Sequence, residues 1–506
     1  MTNIVGIDLG TTYSALARVN ESGNPEIVPN QRGGNITPSV VEFTSDTEYS
    51  VGETAKKNSV AFKNQCVPNG VGEEAKRHMG STTKIYEIHG EKHTPVSISA
   101  LILKKFKEDF ENVHGPIDNA VVTVPANFAN EAREATKEAA QMAGLNVEHI
   151  INEPTAAAFA CSVLSGVELS GKYVIYDFGG GTFDCSIADV QGQDVEILTS
   201  EGVQRLGGKD LDLALTNLVA KKFKDETGNA LDNKFYGILQ AEEDKKMLSE
   251  RNSILVSILS PEGVADLEIT REEYEEVISS LIIQAEMAVE VALERIDLKP
   301  DDIKDVILVG GTTRVPMVQK SIKKIFGKEP KLLGNPDEMV AVGAAIYSAY
   351  KSDSSDLNPL QKQSVQKMNI QEVTGFCFGV EVLDSNTRGT VNMVLIDRNE
   401  KIPCSITESL YTASDNQTAV SCHVTQHPER EEDLAFVNSV WKGTLELPSG
   451  RPQGQEIKVT YSYSEDGIMT CTFMDAQTGN QTSVDLDEIR KSESQSTADI
   501  DEFKVE

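Results

Sequence analysis

The chain has 506 residues, which at roughly 150 residues per domain is too long for one hydrophobic core. Its 79 acidic residues outnumber 47 basic ones. The net charge of -32 argues against sequence-independent electrostatic binding to nucleic acid or to an anionic membrane. No run approaches the ~20 apolar residues of a membrane-spanning helix, and seven cysteines without C-x-x-C spacing favour reduced thiols in a cytoplasmic protein.

The N-terminus begins with an apolar strand, "IVGI", that runs into "DLGTTYS" (residues 8–14) and then into a second alternating strand. At Gly10 the missing side chain lets backbone N–H groups turn toward an anion, and Thr11 and Thr12 add hydroxyl donors. Asp8 precedes the turn, so the pattern combines phosphate-binding groups with a carboxylate that can hold hydrated Mg2+.

Up to about residue 350, short β-branched strands alternate with amphipathic helices, which is typical of an α/β domain. Residues 97–110 repeat apolar side chains with a helical period. Residues 130–144 and 271–296 are also predicted to be helices.

A second copy of the N-terminal pattern follows in "YDFGGGTFD" (residues 176–184), where Asp177 precedes three glycines and Thr182. A third strand-to-glycine element is "VILVGGTTR" (residues 306–314). None of these is a Walker P-loop, because G-x-x-x-x-G-K-[ST] is absent and the second turn leads into a strand. Two equivalent turns predict a duplicated fold that binds a nucleoside triphosphate and Mg2+ between its halves.

From about residue 373 to residue 486 the pattern changes to strict alternation of apolar and polar residues, which predicts an all-β sandwich. We therefore predict four segments: a nucleotide-binding domain over residues 1–353, a polar linker over 354–371, a β-sandwich over 372–487, and an acidic, disordered tail over 488–506.

These motifs, in this order, resemble those of the seventy-kilodalton heat-shock chaperone family of the DnaK type, within the actin-like fold. The matching stretches are "GIDLGTTYS", "AKRHMG", "VVTVPANF", "INEPTAAA", "YDFGGGTFD", "LGGKDLD", "LVGGTTRVP" and "NPDE", followed in the β region by "SDNQ" and "DAQTG". The resemblance runs from residue 3 to about residue 486. It implies an actin-like (ribonuclease H-like) ATPase domain followed by a β-sandwich that binds peptide.

The resemblance also implies roles for individual residues, with ATP or ADP and Mg2+ as cofactors of a slow ATPase. The implied catalytic residues are Lys76, Glu153, Asp177 and Thr182, and the implied Mg2+ ligands are Asp8 and Asp177. The implied nucleotide contacts are Gly10, Thr11, Thr12, Tyr13, Gly179, Gly180, Gly181, Gly208, Glu242, Lys245, Lys246, Ser249, Gly310, Gly311, Thr312, Arg314 and Asp337.

The β-sandwich of this family holds extended apolar segments of unfolded polypeptide by main-chain hydrogen bonds and side-chain pockets. The matching positions are Phe378, Val380, Leu383, Leu410, Ala413, Val420 and Cys422. All seven are apolar or small, and the alternative is that they simply fill the core of the sandwich.

Three features depart from the family pattern. Only residues 488–506 follow the sandwich, where the family has a helical lid, so we expect bound peptide to dissociate quickly. The linker carries only Met368 and Ile370 where the family has a leucine run, which lowers the expected docking energy. His149 replaces an arginine that receives the J-domain co-chaperone, so a J-domain partner is not expected, whereas a nucleotide exchange factor remains an implied partner.

Two other functions are compatible with parts of the pattern. The altered linker and His149 favour a regulatory or scaffold relative that binds nucleotide for stability and holds a fixed protein partner. A small-molecule kinase on the same fold is disfavoured, because a β-sandwich has no purpose there. The leading prediction is an ATP-dependent chaperone.

Overall fold

The computed structural model describes residues 2–68, 72–165, 168–353, 355–366, 368–384, 389–484 and 504–505. The chain forms two compact units. The first contains Met1–Asn127, Ala135–Ile370 and Thr497–Glu506, and the second contains Phe128–Glu134 and Gln371–Ser496. The division after Ile370 lies beside the predicted start of the β-sandwich at residue 372.

The first unit mixes strands and helices throughout. Its strands before the division are β1 (Ile4–Asp8), β2 (Tyr13–Val19), β3 (Pro25–Ile27), β4 (Thr37–Pro38), β5 (Val41–Phe43), β6 (Glu48–Val51), β7 (Cys66–Val67), β8 (Tyr86–Ile88), β9 (Glu91–His93), β10 (Asn119–Val124), β11 (Ile150–Asn152), β12 (Ser170–Phe178), β13 (Phe183–Gln191), β14 (Asp194–Val203), β15 (Ser253–Ser260), β16 (Gly263–Thr270) and β17 (Ile303–Val309).

The helices up to the division are α1 (Glu53–Asn58), α2 (Pro95–His114), α3 (Asn130–Met142), α4 (Glu153–Leu164), α5 (Gly208–Thr227), α6 (Ile238–Glu250), α7 (Arg271–Arg295), α8 (Pro316–Phe326), α9 (Met339–Lys351) and α10 (Pro359–Val365). The three helices predicted from periodicity correspond to α2, α3 and α7. Helix α7 begins at a capping box in which the Thr270 hydroxyl accepts from the N–H of Glu273 and the Glu273 carboxylate accepts from the N–H of Thr270.

Two sheets repeat one strand arrangement. In the first sheet the order is β11-β10-β1-β2-β3, with β1 parallel to β10 and antiparallel to β2. In the second the order is β17-β12-β13-β14, with β12 parallel to β17 and antiparallel to β13. The central strands β1 and β12 end at Asp8 and next to Asp177, so equivalent carboxylates leave equivalent strands. The predicted duplicated α/β fold is confirmed.

Helices α4 and α9 pack closely against one another behind these sheets. A Cβ atom at Gly343 of α9 would lie 1.7 Å from the carbonyl oxygen of Ala156 in α4, so only glycine allows the approach. Residues 156–158 of α4 are all alanine and fully buried. This packing fixes the start of α4, where Glu153 follows directly on β11.

The region predicted as a polar linker contains the helix α10. The Asn358 side chain accepts hydrogen bonds from the N–H groups of Leu360 and Gln361 at 2.9 and 3.0 Å, which caps the helix. Gln361 is buried and its Nε2 donates to the Val19 carbonyl at 3.1 Å. The helix is therefore part of the first unit rather than a free connection.

The second unit is a β-sandwich, as predicted. Its strands are β18 (Asn369–Val373), β19 (Cys377–Leu383), β20 (Thr390–Ile396), β21 (Lys401–Ile402), β22 (Cys404–Tyr411), β23 (Ala419–His427), β24 (Asn438–Glu446), β25 (Glu456–Tyr463), β26 (Met469–Asp475) and β27 (Gln481–Val484). One sheet has the order β20-β19-β23-β24, the other β22-β25-β26-β27, and β18 pairs with β21. Alternate residues of both sheets, including Val424, Val459 and Phe473, form the core.

Most of the predicted tail lies outside the described residues. Within it, β28 (Lys504–Val505) pairs in parallel with β6 in the first unit.

Candidate nucleotide and peptide sites

A cavity of about 800 Å3 lies in the first unit where the carboxyl ends of β1, β12 and β17 converge. This volume suits a ligand of nucleotide size. All the nucleotide, metal and catalytic candidates line the cavity: Asp8, Gly10, Thr11, Thr12, Tyr13, Lys76, Glu153, Asp177, Gly179, Gly180, Gly181, Thr182, Gly208, Glu242, Lys245, Lys246, Ser249, Gly310, Gly311, Thr312, Arg314 and Asp337. The fold therefore gathers residues that are more than 320 positions apart in sequence.

The two glycine turns face one another at the base of this cavity. A Cβ atom at Gly180 would lie 1.9 Å from the Thr12 hydroxyl oxygen, and one at Gly181 would lie 2.4 Å from Cγ2 of Thr11. The Thr12 hydroxyl is buried and has no hydrogen-bond partner among the described residues. A buried hydroxyl of this kind is a donor still available to an anion in the cavity.

Neighbouring elements hold the second turn in place. The Gly179 carbonyl accepts hydrogen bonds from the Gly208 N–H at 3.0 Å and from the Thr312 hydroxyl at 2.8 Å. Arg77 donates to the Gly181 carbonyl at 2.8 Å. Because these carbonyl oxygens accept hydrogen bonds from neighbouring elements, the backbone N–H groups of the turn can point into the cavity.

Lys76 and Glu153 form a buried ion pair beside the turns. Both side chains are at most 9% exposed, and the Lys76 ammonium donates directly to the Glu153 carboxylate. Burial lowers the pKa of Lys76, but attraction to Glu153 and Asp8 outweighs it and leaves that pKa above its ordinary value. The lysine is therefore a fixed, fully charged cation inside the cavity.

Four carboxylates crowd this buried cation. Burial, followed by repulsion from Glu153, raises the pKa of Asp8 to about 7 and that of Asp184 to about 8, and raises the pKa of Asp177 well above its ordinary range. Ionising all four carboxyl groups would put more negative than positive charge beside Lys76, and the raised pKa values reflect this excess. A divalent cation would relieve this excess, so the residues fit Mg2+.

No group of three or more His, Cys, Asp or Glu side chains among the described residues is arranged to hold a metal ion.

A second charged cluster closes one edge of the cavity around Glu242 of α6. Its carboxylate accepts from the Tyr13 hydroxyl at 2.7 Å and from Lys56 at 2.8 Å, with Lys246 at 3.2 Å and Lys209 at 3.4 Å. Burial raises the pKa of Glu242, but the three lysines outweigh it and hold that pKa well below its usual range. Tyr13 and Lys56 belong to the half that contains β1, and Glu242 belongs to the half that contains β12.

The remaining cavity wall is made by α6 and by the turn after β17. Lys245 donates to the Gly208 carbonyl at 3.1 Å and pairs with Asp212 at 2.7 Å. On the opposite side Arg314, half exposed, pairs with Asp337 at 2.8 Å.

Sequence reasoning missed several residues of this site. Lys209 and Asp212 line the cavity, and Lys56 contacts two of its residues. Lys209 lies inside the "LGGKDLD" motif, which was a usable signal. Asp212 is the last residue of the same motif. Lys56 lies on an ordinary charged helix, and no local pattern distinguishes it.

The seven candidate peptide contacts separate into two groups. Phe378, Val380 and Cys422 are at most 1% exposed and belong to the core of the sandwich. Their burial favours the alternative that these three side chains fill the core of the sandwich. Leu410 and Val420 pack at the edge of the core, and Leu383 and Ala413 are exposed.

A family model described as "Hsp70 protein" matches residues 4–506. The chain belongs to the Hsp70 family. It is 38% identical over 498 residues to the "Chaperone protein DnaK" of Thermotoga neapolitana, an alignment that covers 95% of this chain and 80% of the relative. The resemblance inferred from the motifs is confirmed.

As an Hsp70 protein, the chain is an ATP-dependent chaperone that hydrolyses ATP to ADP with Mg2+ and binds unfolded polypeptides. The scaffold alternative is not favoured by either comparison. Within the part of the chain that the structure describes, no helix is long and apolar enough to cross a bilayer.

Proposed function

We propose that ATP is hydrolysed in the cavity of the first unit and that the nucleotide state controls the affinity of the sandwich for extended apolar polypeptide. The observation that carries this proposal is the meeting of both glycine turns with Lys76, Asp8 and Asp177 in one buried cavity. Hydrolysis requires little covalent chemistry from the protein, because positioning and charge stabilisation dominate phosphoryl transfer.

Within the site, Gly180, Gly181, Thr11 and Thr12 bind the phosphates through backbone N–H groups and hydroxyls. Lys76 stabilises the charge that develops on the transferring phosphoryl group, and its ion pair with Glu153 holds the ammonium in place. When bound, Mg2+ would be held by Asp8 and Asp177 and would offset the phosphate charge.

The adenosine lies between the two remaining walls of the cavity. Glu242, Lys245 and Ser249 of α6 line one wall, and Arg314 and Asp337 line the other. The planar guanidinium of Arg314, half exposed, suits stacking on a purine ring.

The peptide is held by the candidates that remain at the surface: Leu383, Leu410, Ala413 and Val420. Tyr411 follows Leu410 on the same strand and is 64% exposed, so it adds apolar area there. Main-chain hydrogen bonds supply the affinity that does not depend on peptide sequence.

We further infer that a nucleotide exchange factor acts on this chain, since the buried cluster around Glu242 must open before ADP can leave. An ordinary J-domain co-chaperone is not expected, because His149 is half-buried with its ring 6.5 Å from that of Tyr347 and the linker is polar. Steady-state ATPase rates with each co-chaperone added test both inferences. An exchange factor that leaves the rate unchanged, or a J-domain protein that raises it, would contradict them.

The working compartment is the cytoplasm. All seven cysteines are free thiols, which suits a reducing compartment.

The direct test of the ATPase assignment is Lys76→Ala under single-turnover conditions. We expect hydrolysis to slow by about 100-fold or more, as for other groups that stabilise transition-state charge, while ATP still binds. Lys92→Ala, which removes an exposed lysine in β9, is the matched control. Unchanged hydrolysis in Lys76→Ala with ATP bound would remove Lys76 from the mechanism.

A further inference from the structure

A hydrogen-bonded chain of three side chains lies on the sandwich, outside every residue used so far. His423 of β23 lies between Glu381 of β19 and Ser439 of β24. Its Nδ1 is 2.8 Å from a Glu381 carboxylate oxygen, and its Nε2 is 2.9 Å from the Ser439 hydroxyl oxygen. Each side chain comes from a different strand of the same sheet.

The sheet register puts all three on the face that points away from the core. Val380, Cys422 and Val424 face the core, so their neighbours Glu381 and His423 point to the opposite face. His423 is nevertheless only 6% exposed, whereas Ser439 is exposed. A buried imidazole with an accessible hydroxyl at one end and a carboxylate at the other is the arrangement that activates serine nucleophiles.

The carboxylate fixes the tautomer of the histidine. An ionised Glu381 can only accept, so a neutral His423 must carry its proton on Nδ1 and donate it to the carboxylate. Nε2 is then the acceptor of the Ser439 O–H, which is the orientation needed to receive that proton during attack.

Two further groups of β24 are candidate donors to an oxyanion. The ladder between β23 and β24 shifts register so that Val424 faces Trp441 and Thr425 faces Ser439, which leaves Val440 opposite no residue. A bulge of this kind takes the extra residue out of the ladder, so its N–H, directly after the serine, is a candidate donor. Lys442 lies directly opposite His423 and adds a positive charge to the same face.

We propose that Ser439 is an activated nucleophile that reacts with carboxylic esters, as a second activity of the sandwich distinct from peptide binding. The Ser439 oxygen attacks the ester carbonyl as its proton passes to His423 Nε2. The acyl carbon–oxygen bond then breaks, and the alcohol leaves with that proton. Water, deprotonated by the same nitrogen, releases the acid and restores the serine, so ester and water give acid and alcohol.

The loop after β23 covers part of this face and leaves the serine open. The Asn392 amide, beside Thr425 on the same face, donates to the Glu431 carbonyl at 2.6 Å, and the Asn392 N–H donates to the Glu432 carbonyl at 2.8 Å. The loop is thus held over Asn392 and Thr425, while Ser439 stays accessible to a small ester.

The test is labelling of the full-length chain with a fluorescent fluorophosphonate, followed by mass-spectrometric location of the labelled serine. Ser421, an exposed serine of the same sheet, is the internal comparison. We expect Ser439 to react with the label at least tenfold faster than Ser421. Ser439→Ala should abolish the hydrolysis of p-nitrophenyl acetate, whereas the control variant Ser421→Ala should retain it. The ATPase rate should not change in either variant. Equal labelling of Ser439 and Ser421 would overturn the proposal.

Glu381→Gln separates activation from a purely structural role. The amide can donate to Nδ1 and so favour the tautomer in which Nε2 carries the proton, as happens when an orienting carboxylate becomes an amide. We expect labelling of Ser439 to fall tenfold or more while the thermal unfolding midpoint stays close to wild type. Labelling that is unaffected by Glu381→Gln would show that the three side chains only brace the sheet.

Discussion

The cluster around Glu242 makes a specific prediction for nucleotide release. Tyr13 and Lys56 reach Glu242 from the other half of the first unit, so these two contacts close the cavity edge. Lys56→Met keeps most of the side-chain volume and removes one of them. We expect ADP to dissociate faster, because the substitution destabilises the closed cavity but not the open one. In the open cavity, water solvates Glu242 and replaces the lost contact.

The magnitude follows from the burial and the remaining partners. Lys56 and Glu242 are 12% and 4% exposed, and breaking a pair this buried by removing one partner costs about 3–5 kcal/mol when nothing replaces it. Here Lys246 and Lys209 remain 3.2 and 3.4 Å from the carboxylate. We therefore expect about 1–2 kcal/mol, which corresponds to ADP release roughly 5- to 30-fold faster.

Stopped-flow displacement of fluorescently labelled ADP measures this rate. Lys57→Met, which alters the exposed neighbour on α1, is the matched control and should release ADP at the wild-type rate. If Lys56→Met also releases ADP at the wild-type rate, the Glu242 cluster does not hold the cavity closed and the reasoning fails.

Two further predictions concern stability. Gly180→Ala would force a Cβ atom to 1.9 Å from the Thr12 hydroxyl oxygen, whereas a Cβ atom at Gly179 would have its nearest neighbour 3.7 Å away. Thermal unfolding should therefore show Gly180→Ala to be less stable than Gly179→Ala by about 1–3 kcal/mol. Equal stabilities would contradict the close approach of the turns. Burial lowers the pKa of His93 to about 4, compared with an ordinary value of 6.5. As the pH falls, His93 is therefore protonated in the unfolded chain before it is protonated in the folded chain. The contribution of His93 to stability should drop by roughly 2–3 kcal/mol between pH 6.5 and pH 4. Denaturant titrations of wild type and His93→Gln should therefore differ in slope over this range by that amount; the same slope in both would contradict the assignment.

The nucleotide site could be predicted because short local sequence patterns identify most of its residues. Asp8 and Asp177 each end an apolar strand and precede a glycine turn, and the repetition itself indicated two halves with a ligand between them. Lys56 carries no such pattern, since a charged residue on an amphipathic helix is ordinarily solvated. Only the tertiary fold brings it to the cavity.

The sandwich was harder to predict at the level of single residues. Alternation shows which residues share a face but not which face carries the ligand. Phe378, Val380 and Cys422 lie on the apolar face that forms the core, which favours a structural role for them over peptide contact. Helix α10 was missed although "NPLQ" carries a helix start, with Asn358 as the cap and Pro359 in the first turn.

The most direct test of the account is the dissociation constant of a fluorescent apolar peptide, measured on the full-length chain first with ADP and then with ATP under conditions that prevent hydrolysis. If nucleotide state controls the sandwich, ATP should weaken peptide binding tenfold or more, which corresponds to about 1.4 kcal/mol of coupling. Equal affinity in the two states, or no binding in either, would contradict the proposal that ATP hydrolysis governs the handling of polypeptide.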